Sequence, residues 1–345
     1  MSATGVPLAS AHLLGVESLS PGEATKLLGE AGRHADWLAG DAPKSDSLRG
    51  RVVVLGFLEP STRTRVSFEI AGKRLAADTI NLASVGSSLE KGESLLDTAW
   101  TLESMGVDAL VLRHPQSGAP ADIAARLEHL AVVNGGDGAH EHPTQALLDV
   151  LALLRRGVRI AGLRVALVGD IAYSRVARSN LYLLTALGAH VTVCGPPSLL
   201  PAGLETMARA PGTVSVTHAL PEALAGAGAV IALRLQKERQ EAGLIPSAED
   251  YVRLYQITPE RLQQHAPSAL LLHPGPVNRG IEVDSRLVDG PSSLVREQVA
   301  AGVAVRCAVL ERACRAGAWA ESDGAVRVAA DLRAVHAFAG GEGAR

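Results

Sequence analysis

Residues 58–65, Leu58-Glu59-Pro60-Ser61-Thr62-Arg63-Thr64-Arg65, concentrate more chemistry than any other stretch of the chain. Three hydroxyls and two guanidinium groups fall within five consecutive residues, Ser61 to Arg65. They sit between the apolar run Val52–Phe57, which predicts a buried strand, and Val66–Ala76, which predicts a helix. A strand-to-helix turn gathers backbone N–H groups at the positive end of a helix dipole, where an anion is favoured. The combination points to a phosphate cradle built without a glycine-rich loop. The competing reading is that Ser61 only caps the helix and the arginines face water. Helical spacing separates the two arginines. Phe68, Ala71, Gly72 and Leu75 share an apolar face, while Arg65, Glu69 and Lys73 repeat at i, i+4 on a solvated one. Arg63 belongs to neither row and is left for a ligand.

Other polar groups sit at the ends of apolar runs. Arg113-His114-Pro115 ends the strand predicted from Ala109. Residues at the carboxyl ends of parallel strands line the ligand crevice of open α/β sheets. A structural ion pair is the alternative for Arg113. After the strand predicted over Ala131–Asn134 comes Gly135-Gly136-Asp137-Gly138-Ala139-His140-Glu141-His142-Pro143-Thr144-Gln145. His142 reads as a cap and Pro143 as the first residue of a helix, which puts Thr144 and Gln145 beside free amides. His140 and His142 lack further ligands at metal spacing, so no metal is assigned. Arg175 and Arg178 open another helix, where a cation opposes the dipole. Arg234-Leu235-Gln236-Lys237-Glu238-Arg239 follows a strand and, with Gly243 and Pro246, reads as a mobile segment over a ligand. His273-Pro274-Gly275-Pro276 is a rigid turn able to present carbonyls. Lys91, in the polar loop from Gly86 to Ser94, reads by spacing alone as a solvated lysine.

The elements that must hold these groups form a consistent series. Strands are predicted at 52–57, 78–84, 109–112, 131–134, 163–169, 190–194, 214–217, 229–233 and 269–272, alternating with helices. This is an α/β protein of two domains, each a parallel sheet flanked by helices. The boundary falls at Gly157–Gly162. Residues 1–157 make the first domain, with a C-terminal helix over 291–315 packing back on it. Residues 158–290 make the second, and 316–345 form an extension expected to be partly disordered. No GxGxxG follows the strand at 163–169, which argues against a dinucleotide site.

Composition sets outer bounds. The formal net charge of −3 gives no bulk electrostatic case for nucleic acid or an anionic membrane. The three cysteines, Cys194, Cys307 and Cys314, form no CxxC pair and no disulfide framework. No apolar run approaches the ~18 residues of a membrane span, and no signal peptide is seen. The cytoplasm is the expected compartment.

Taken in order, Ser61–Arg65, Lys91-Gly92-Glu93, Arg113-His114-Pro115, Gly136-Asp137-Gly138 with His142–Gln145, Arg175, Arg234-Leu235-Gln236 and His273–Pro276 resemble the carbamoyltransferase family over residues 10–315. The last two segments resemble its aspartate branch. The ornithine branch has a cysteine in a His-Cys-Leu-Pro segment, where here Pro274 and Gly275 follow His273. The resemblance implies transfer of a carbamoyl group from carbamoyl phosphate to the α-amine of L-aspartate, a committed step of pyrimidine biosynthesis. It implies no metal and no organic cofactor. It implies a homotrimer with shared active sites, and it is compatible with a regulatory chain or dihydroorotase as partner. By resemblance, Ser61, Thr62, Arg63, Thr64 and Arg113 hold the phosphate, with Ser87 and Lys91 reaching in from a neighbouring subunit; Ser88 is the alternative to Ser87. Thr64, Arg113 and His142 polarise the carbamoyl carbonyl. Gln145 and the carbonyls of Pro274 and Gly275 hold its NH2. Arg175 with Lys91 takes the aspartate α-carboxylate, and Arg234 with Gln236 the side-chain carboxylate. Gly275 replaces a leucine of some relatives, a change that leaves a backbone contact intact. A carbamoyltransferase for another amino acid would need a different pocket at Arg234 and Gln236. A non-catalytic subunit of the same fold would be expected to lack Arg63, Arg113, His142 or Lys91, and all four are present.

Overall fold

The computed structural model describes residues 11–41, 43–82, 92–235 and 247–316. Ser87, Ser88, Lys91 and Gln236, most of the segment expected to close over a ligand, and the extension from residue 317 onwards lie outside the described residues. The chain divides into two compact units, Met1–Leu147 with Ala300–Arg345, and Leu148–Val299.

The first unit begins with α1 (Pro21–Ala39), entered through a capping box in which Ser20 Oγ accepts from Glu23 N and the Glu23 carboxylate accepts from Ser20 N. There follow β1 (Val52–Phe57), α2 (Thr62–Arg74), β2 (Asp78–Leu82), α3 (Leu95–Ser104), β3 (Ala109–His114), α4 (Ala119–Ala124), β4 (Ala131–Asp137) and the start of α5 (Pro143–Arg155). The sheet order is β2-β1-β3-β4, with every pairing parallel. Because β1 pairs with β2 on one side and β3 on the other, the chain reverses its direction of travel across the sheet at β1. That is where an open parallel sheet leaves a crevice at its carboxyl edge. Val54, Leu110, Leu112 and Val132 fill one core with Ala99, Ile123 and Leu130.

The second unit carries β5 (Arg164–Val168), α6 (Arg175–Ala186), β6 (His190–Cys194), β7 (Thr213–Thr217), α7 (Leu220–Leu224), β8 (Ala229–Ala232), α8 (Ala248–Tyr255), α9 (Pro259–His265), β9 (Leu270–Leu272) and α10 (Ser285–Val288). Its order is β7-β6-β5-β8-β9, again all parallel. Here β5 is the strand at which direction reverses. Tyr251, Tyr255 and Ile257 pack with Val230, Leu271 and Val283 in its core. The final helix, α11 (Val295–Cys314), lies from residue 300 onwards on the first unit. There Cys307 Sγ reaches Ala71 O at 4.0 Å and Glu311 meets His34 at 2.9 Å.

All nine strands that the apolar pattern predicts are present among the described residues. Two helix boundaries differ from expectation. The helix predicted from Val66 begins at Thr62, so Arg63, Thr64 and Arg65 form its first turn. The first four N–H groups of a helix have no intrahelical partner, so polar residues there cost little and hide the start. The helix predicted from residue 291 begins at Val295. The short helices α4 and α7 to α10 carry too few turns to show an apolar period.

Gly169, just past β5, has φ +135°, and a Cβ there would lie 2.7 Å from Leu233 O on the loop after β8. This close approach lets the two carboxyl-end loops run side by side. Gly169→Ala is expected to destabilise the second unit by about 1–3 kcal/mol. Hydrogen exchange should quicken in β5 and β8; exchange rates like those of the parent chain would show that the loops can separate without loss.

Candidate active site

In the first unit the candidate groups come from the carboxyl ends of β1, β3 and β4. Ser61 occupies the N-cap of α2, with φ −161° and ψ 97°, yet its side chain makes no capping hydrogen bond. The capping reading of Ser61 therefore fails, and its hydroxyl is not spent on the helix. Thr62 and Arg63 are exposed, while Thr64 turns inward and is buried. Arg65 stays on the solvated row: Lys73 bonds Glu69 at 2.6 Å, and Arg65 helps to hold the Glu69 carboxyl below its ordinary value, after the stronger bonds from Lys73 and Asn81.

Thr64 Oγ1 lies 3.4 Å from His142 Nε2, so the start of α2 and the start of α5 meet side chain to side chain. His142, Thr144 and Gln145 are all buried. The His142 carbonyl accepts from Gln145 N at 2.9 Å, the first bond of α5, as the Pro143 start predicts. Arg113 lies opposite Phe57 in the register of β1 and β3, and its carbonyl accepts from Leu58 N. Its guanidinium donates to Glu59 Oε1 at 3.1 Å and to Gly135 O at 3.2 Å. The ion pair weighed as the alternative for Arg113 is thus real, and its acid belongs to the hydroxyl-rich turn itself. In the sequence Glu59 is marked only by its place beside Pro60, at the start of that turn.

Asp137 organises the loop that delivers His142. Its buried carboxylate accepts from Asn134 Nδ2 at 2.8 Å, Gly118 N at 2.7 Å and Glu141 N at 3.0 Å, and meets His140 Nδ1 at 3.0 Å. Burial alone would raise its pKa, but the bonds from His140, Asn134, Gly118 and Glu141 more than offset this and leave it lowered. His140 is raised in turn, first by its bond to Asp137. Gly138, at φ +48°, passes so near Ser117 N and Pro115 O that a Cβ would sit 2.7 and 2.9 Å from them. The Glu141 carboxylate accepts from Val16 N and Glu17 N. Glu17, His140 and Glu141 bring three potential ligand atoms within 4.8 Å of one another. Two of these three already hold backbone or Asp137. His142 faces Thr64 instead of joining His140.

In the second unit Arg175 is the first residue of α6 and is buried, with Ser174 Oγ capping Ala177 N at 3.2 Å. Arg234 follows β8 and is half-buried, between Leu233 and Leu235 in the core. Both lie at the carboxyl ends of neighbouring strands, β5 and β8. Pro274 and Gly275 are held through His273. Gln298 Oε1 accepts from His273 N at 2.9 Å, while Gln298 Nε2 donates to the buried Asp149 at 2.7 Å. Gly275 N donates to His273 Nδ1 at 2.8 Å, so the ring proton sits on Nε2 and is donated to Glu282 at 3.1 Å. The turn is therefore fixed by buried polar bonds, as its proline–glycine composition implies. The three cysteines are buried, and burial raises each thiol to about 12, so none is a ready nucleophile.

Two family models cover nearly all of the described chain. Residues 11–155 match "Aspartate/ornithine carbamoyltransferase, carbamoyl-P binding domain", and residues 161–313 match "Aspartate/ornithine carbamoyltransferase, Asp/Orn binding domain". The chain belongs to the aspartate/ornithine carbamoyltransferase family. It is 50% identical over 310 residues to the aspartate carbamoyltransferase catalytic subunit of Gluconobacter oxydans, covering 90% of this chain and 97% of that one. It is 52% identical over 300 residues to the same subunit of Beijerinckia indica, covering 87% and 93%. Among solved structures it resembles the aspartate transcarbamoylase of Trypanosoma cruzi in complex with carbamoyl aspartate and phosphate. That match has a TM-score of 0.77 and 30% identity, over 87% of this chain and 94% of the other. It also resembles the ornithine carbamoyltransferase of Pyrococcus furiosus, with a TM-score of 0.79 and 29% identity, over 89% and 97%. The fold is thus common to both branches, and the curated sequence relatives named here come from the aspartate branch.

Asp137→Asn would leave one oxygen to serve four donors. It is expected to cost about 2–3 kcal/mol, read as a lower urea midpoint at neutral pH. The sign of the pH dependence follows from the lowered carboxyl pKa. Its contribution is present above the ordinary aspartate value and is lost as pH falls through the lower folded value. The gap between parent and variant should therefore close in acid. A constant gap down to full acid unfolding would show that the charge on Asp137 is not what holds the loop.

Proposed function

We propose that the chain transfers the carbamoyl group of carbamoyl phosphate to the α-amine of L-aspartate, giving N-carbamoyl-L-aspartate and phosphate. The observation that carries the reading is the contact between Thr64 and His142 at the foot of a turn whose Ser61 hydroxyl is uncommitted and whose Glu59 orients Arg113. Aspartate-branch relatives at about half identity over nearly the whole chain support the acceptor. So does Arg234 at a strand end, since a guanidinium suits an anionic side chain and repels ornithine.

The chemistry follows from charge. The α-amine attacks the carbamoyl carbon, and negative charge develops on the carbonyl oxygen. Thr64, Arg113 and His142 are the donors assigned to that oxygen; removing one such donor costs roughly 10²–10³ in rate. Ser61, Thr62, Arg63, Thr64 and Arg113 take the phosphate, joined by Ser87 and Lys91 of a neighbouring subunit. Gln145 and the carbonyls of Pro274 and Gly275 take the carbamoyl NH2. Arg175 and Lys91 take the α-carboxylate, and Arg234 and Gln236 the other. Two anionic substrates repel each other, and bidentate arginines offset that repulsion while fixing both in place. The leaving phosphate is the group at hand to accept the amine proton. Residues 1–157 serve as the carbamoyl phosphate domain and 158–290 as the aspartate domain, and the assembly is a homotrimer. The reaction serves as the committed step of pyrimidine biosynthesis, in the cytoplasm.

The direct test is product formation from carbamoyl phosphate with aspartate, ornithine or other amino acids. Carbamoyl-aspartate alone is expected. No product with any acceptor would favour a non-catalytic subunit. Arg63→Ala should abolish turnover with assembly intact, and Arg234→Ala should mainly raise the KM for aspartate. Near-parental turnover in Arg63→Ala would sink the phosphate cradle. Mixing inactive Lys91→Ala and Arg113→Ala chains should restore part of the activity, because some sites then draw intact groups from two subunits. Mixtures that stay inactive would refute the shared site.

A further inference from the structure

Arg306 is the feature that the assignments above leave unexplained. It lies on α11, within the first unit, and its side chain is almost wholly buried. It donates to Gly302 O at 2.9 Å and to Thr144 Oγ1 at 3.3 Å, and its guanidinium carbon sits 5.1 Å from the centre of the Phe68 ring. Its Nε has no hydrogen-bond partner among the described residues. No carboxylate pairs with it there either, and the one charged group that acts on it is Arg113, of the same sign. Burial, and then Arg113, push its pKa down to about 9, still a cation at neutral pH. Burying a lone cation against a hydroxyl, a carbonyl and a ring face is costly. A fold has little reason to keep such a charge unless something else gains from it.

The surroundings of Arg306 identify what gains. Phe68 lies one helical turn beyond Thr64 on α2, and Thr144 lies two residues beyond His142 at the start of α5. Thr64 and His142 face each other at 3.4 Å. Arg306 therefore packs behind the amino ends of two helices at once, with Arg113 on the third side. Both helix ends present N–H groups and positive dipoles to the same place. Among the described residues, Arg306, Arg113 and the two helix ends all favour an anion here, and Glu59 is already paired with Arg113.

We propose that Arg306 is a positioning residue for the phosphate-bearing substrate: its buried charge, set behind the two helix ends beside Phe68 and Thr144, is balanced by the bound phosphate dianion. This rests on the reading that the chain binds carbamoyl phosphate. Arg306 touches no reacting atom. It acts through the field it adds behind the amino ends of the two helices.

The charge and a purely structural clamp predict opposite behaviour. Arg306→Met keeps much of the volume and removes the charge. Without ligand it should melt at or above the parent temperature, because an unbalanced buried charge is gone. Its affinity for inorganic phosphate, titrated calorimetrically at fixed ionic strength on the intact assembly, should fall about tenfold, the scale of one charge acting at close range through protein. The KM for carbamoyl phosphate should rise in parallel, while the KM for aspartate at saturating carbamoyl phosphate moves by less than about twofold. Arg306→Lys keeps the charge and should hold phosphate within about threefold of the parent. A Met variant that melts well below the parent, or that binds phosphate as the parent does, overturns the proposal. So does a Lys variant as weak as the Met variant. Failure of the wider reading would look different: the parent chain itself would neither bind phosphate nor turn over carbamoyl phosphate.

Discussion

In each unit the first strand in chain order lies inside the sheet and pairs in parallel on both sides, β1 with β2 and β3, and β5 with β6 and β8. The placement of every functional side chain depends on that arrangement. Parallel pairing forces the chain to return by a crossover, so successive connections leave the sheet from the same carboxyl edge. Where the crossovers diverge to opposite sides, their loops separate and a crevice opens. The turn at Ser61–Arg65 and the end of β3 at Arg113 flank that point in the first unit. Arg175 and Arg234 flank it in the second. The hydroxyls and guanidinium groups need no loop machinery of their own; the sheet order puts them there.

The loops at these edges are short of backbone partners, and buried carboxylates supply them. Asp137 gathers the N–H groups of Gly118 and Glu141 and the side chains of Asn134 and His140. Asp149 acts less directly in the second unit: it accepts from the side-chain amides of Asn180 and Gln298, and Gln298 passes the restraint to His273 and so to Gly275. A buried acid with all its lone pairs used is rigid, because releasing any donor leaves that donor unsatisfied away from water. The two networks do a similar job by similar means. Each fixes a turn that must offer backbone or a ring nitrogen at a set position.

How much of this could be seen beforehand depends on range. The strands were legible because a strand covered on both faces is a continuous apolar run, as in Val52–Phe57 and Ala229–Ala232. The site turn was legible because its residue types are dense and local. Arg63 was singled out because it falls outside the solvated row of Arg65, Glu69 and Lys73; it is exposed, as Arg65 is. What the sequence hid is pairing at a distance. Nothing near Arg113 in the chain points to Glu59, fifty-four residues away. Asp137 and Asp149 look like ordinary loop and helix acids until the fold brings them their donors. The start of α2 was hidden for a different reason: its first turn, Thr62 to Arg65, is polar, and the free N–H groups of a first turn let polar residues stand where the apolar period would otherwise mark the helix.

The charges of the first unit are graded by depth. Arg63 is exposed, Arg113 is half-buried and held by Glu59, and Arg306 is buried with no acid against it among the described residues. On the proposed reading, a dianion arriving at the amino ends of α2 and α5 would meet these cations in order of decreasing solvent screening. The outermost is best placed to capture it from water, where charge acts over about a Debye length. The middle one begins on a carboxylate and can orient without collapsing onto the site when it is empty. The innermost cannot be reached by solvent, so its attraction is hardly screened by salt. On the same reading, depth makes Glu59 tolerable beside an anion. It neutralises the one arginine that would otherwise add a second half-buried like charge beside Arg306, and a bound phosphate can share that arginine without displacing the acid, because a guanidinium has donors on more than one edge.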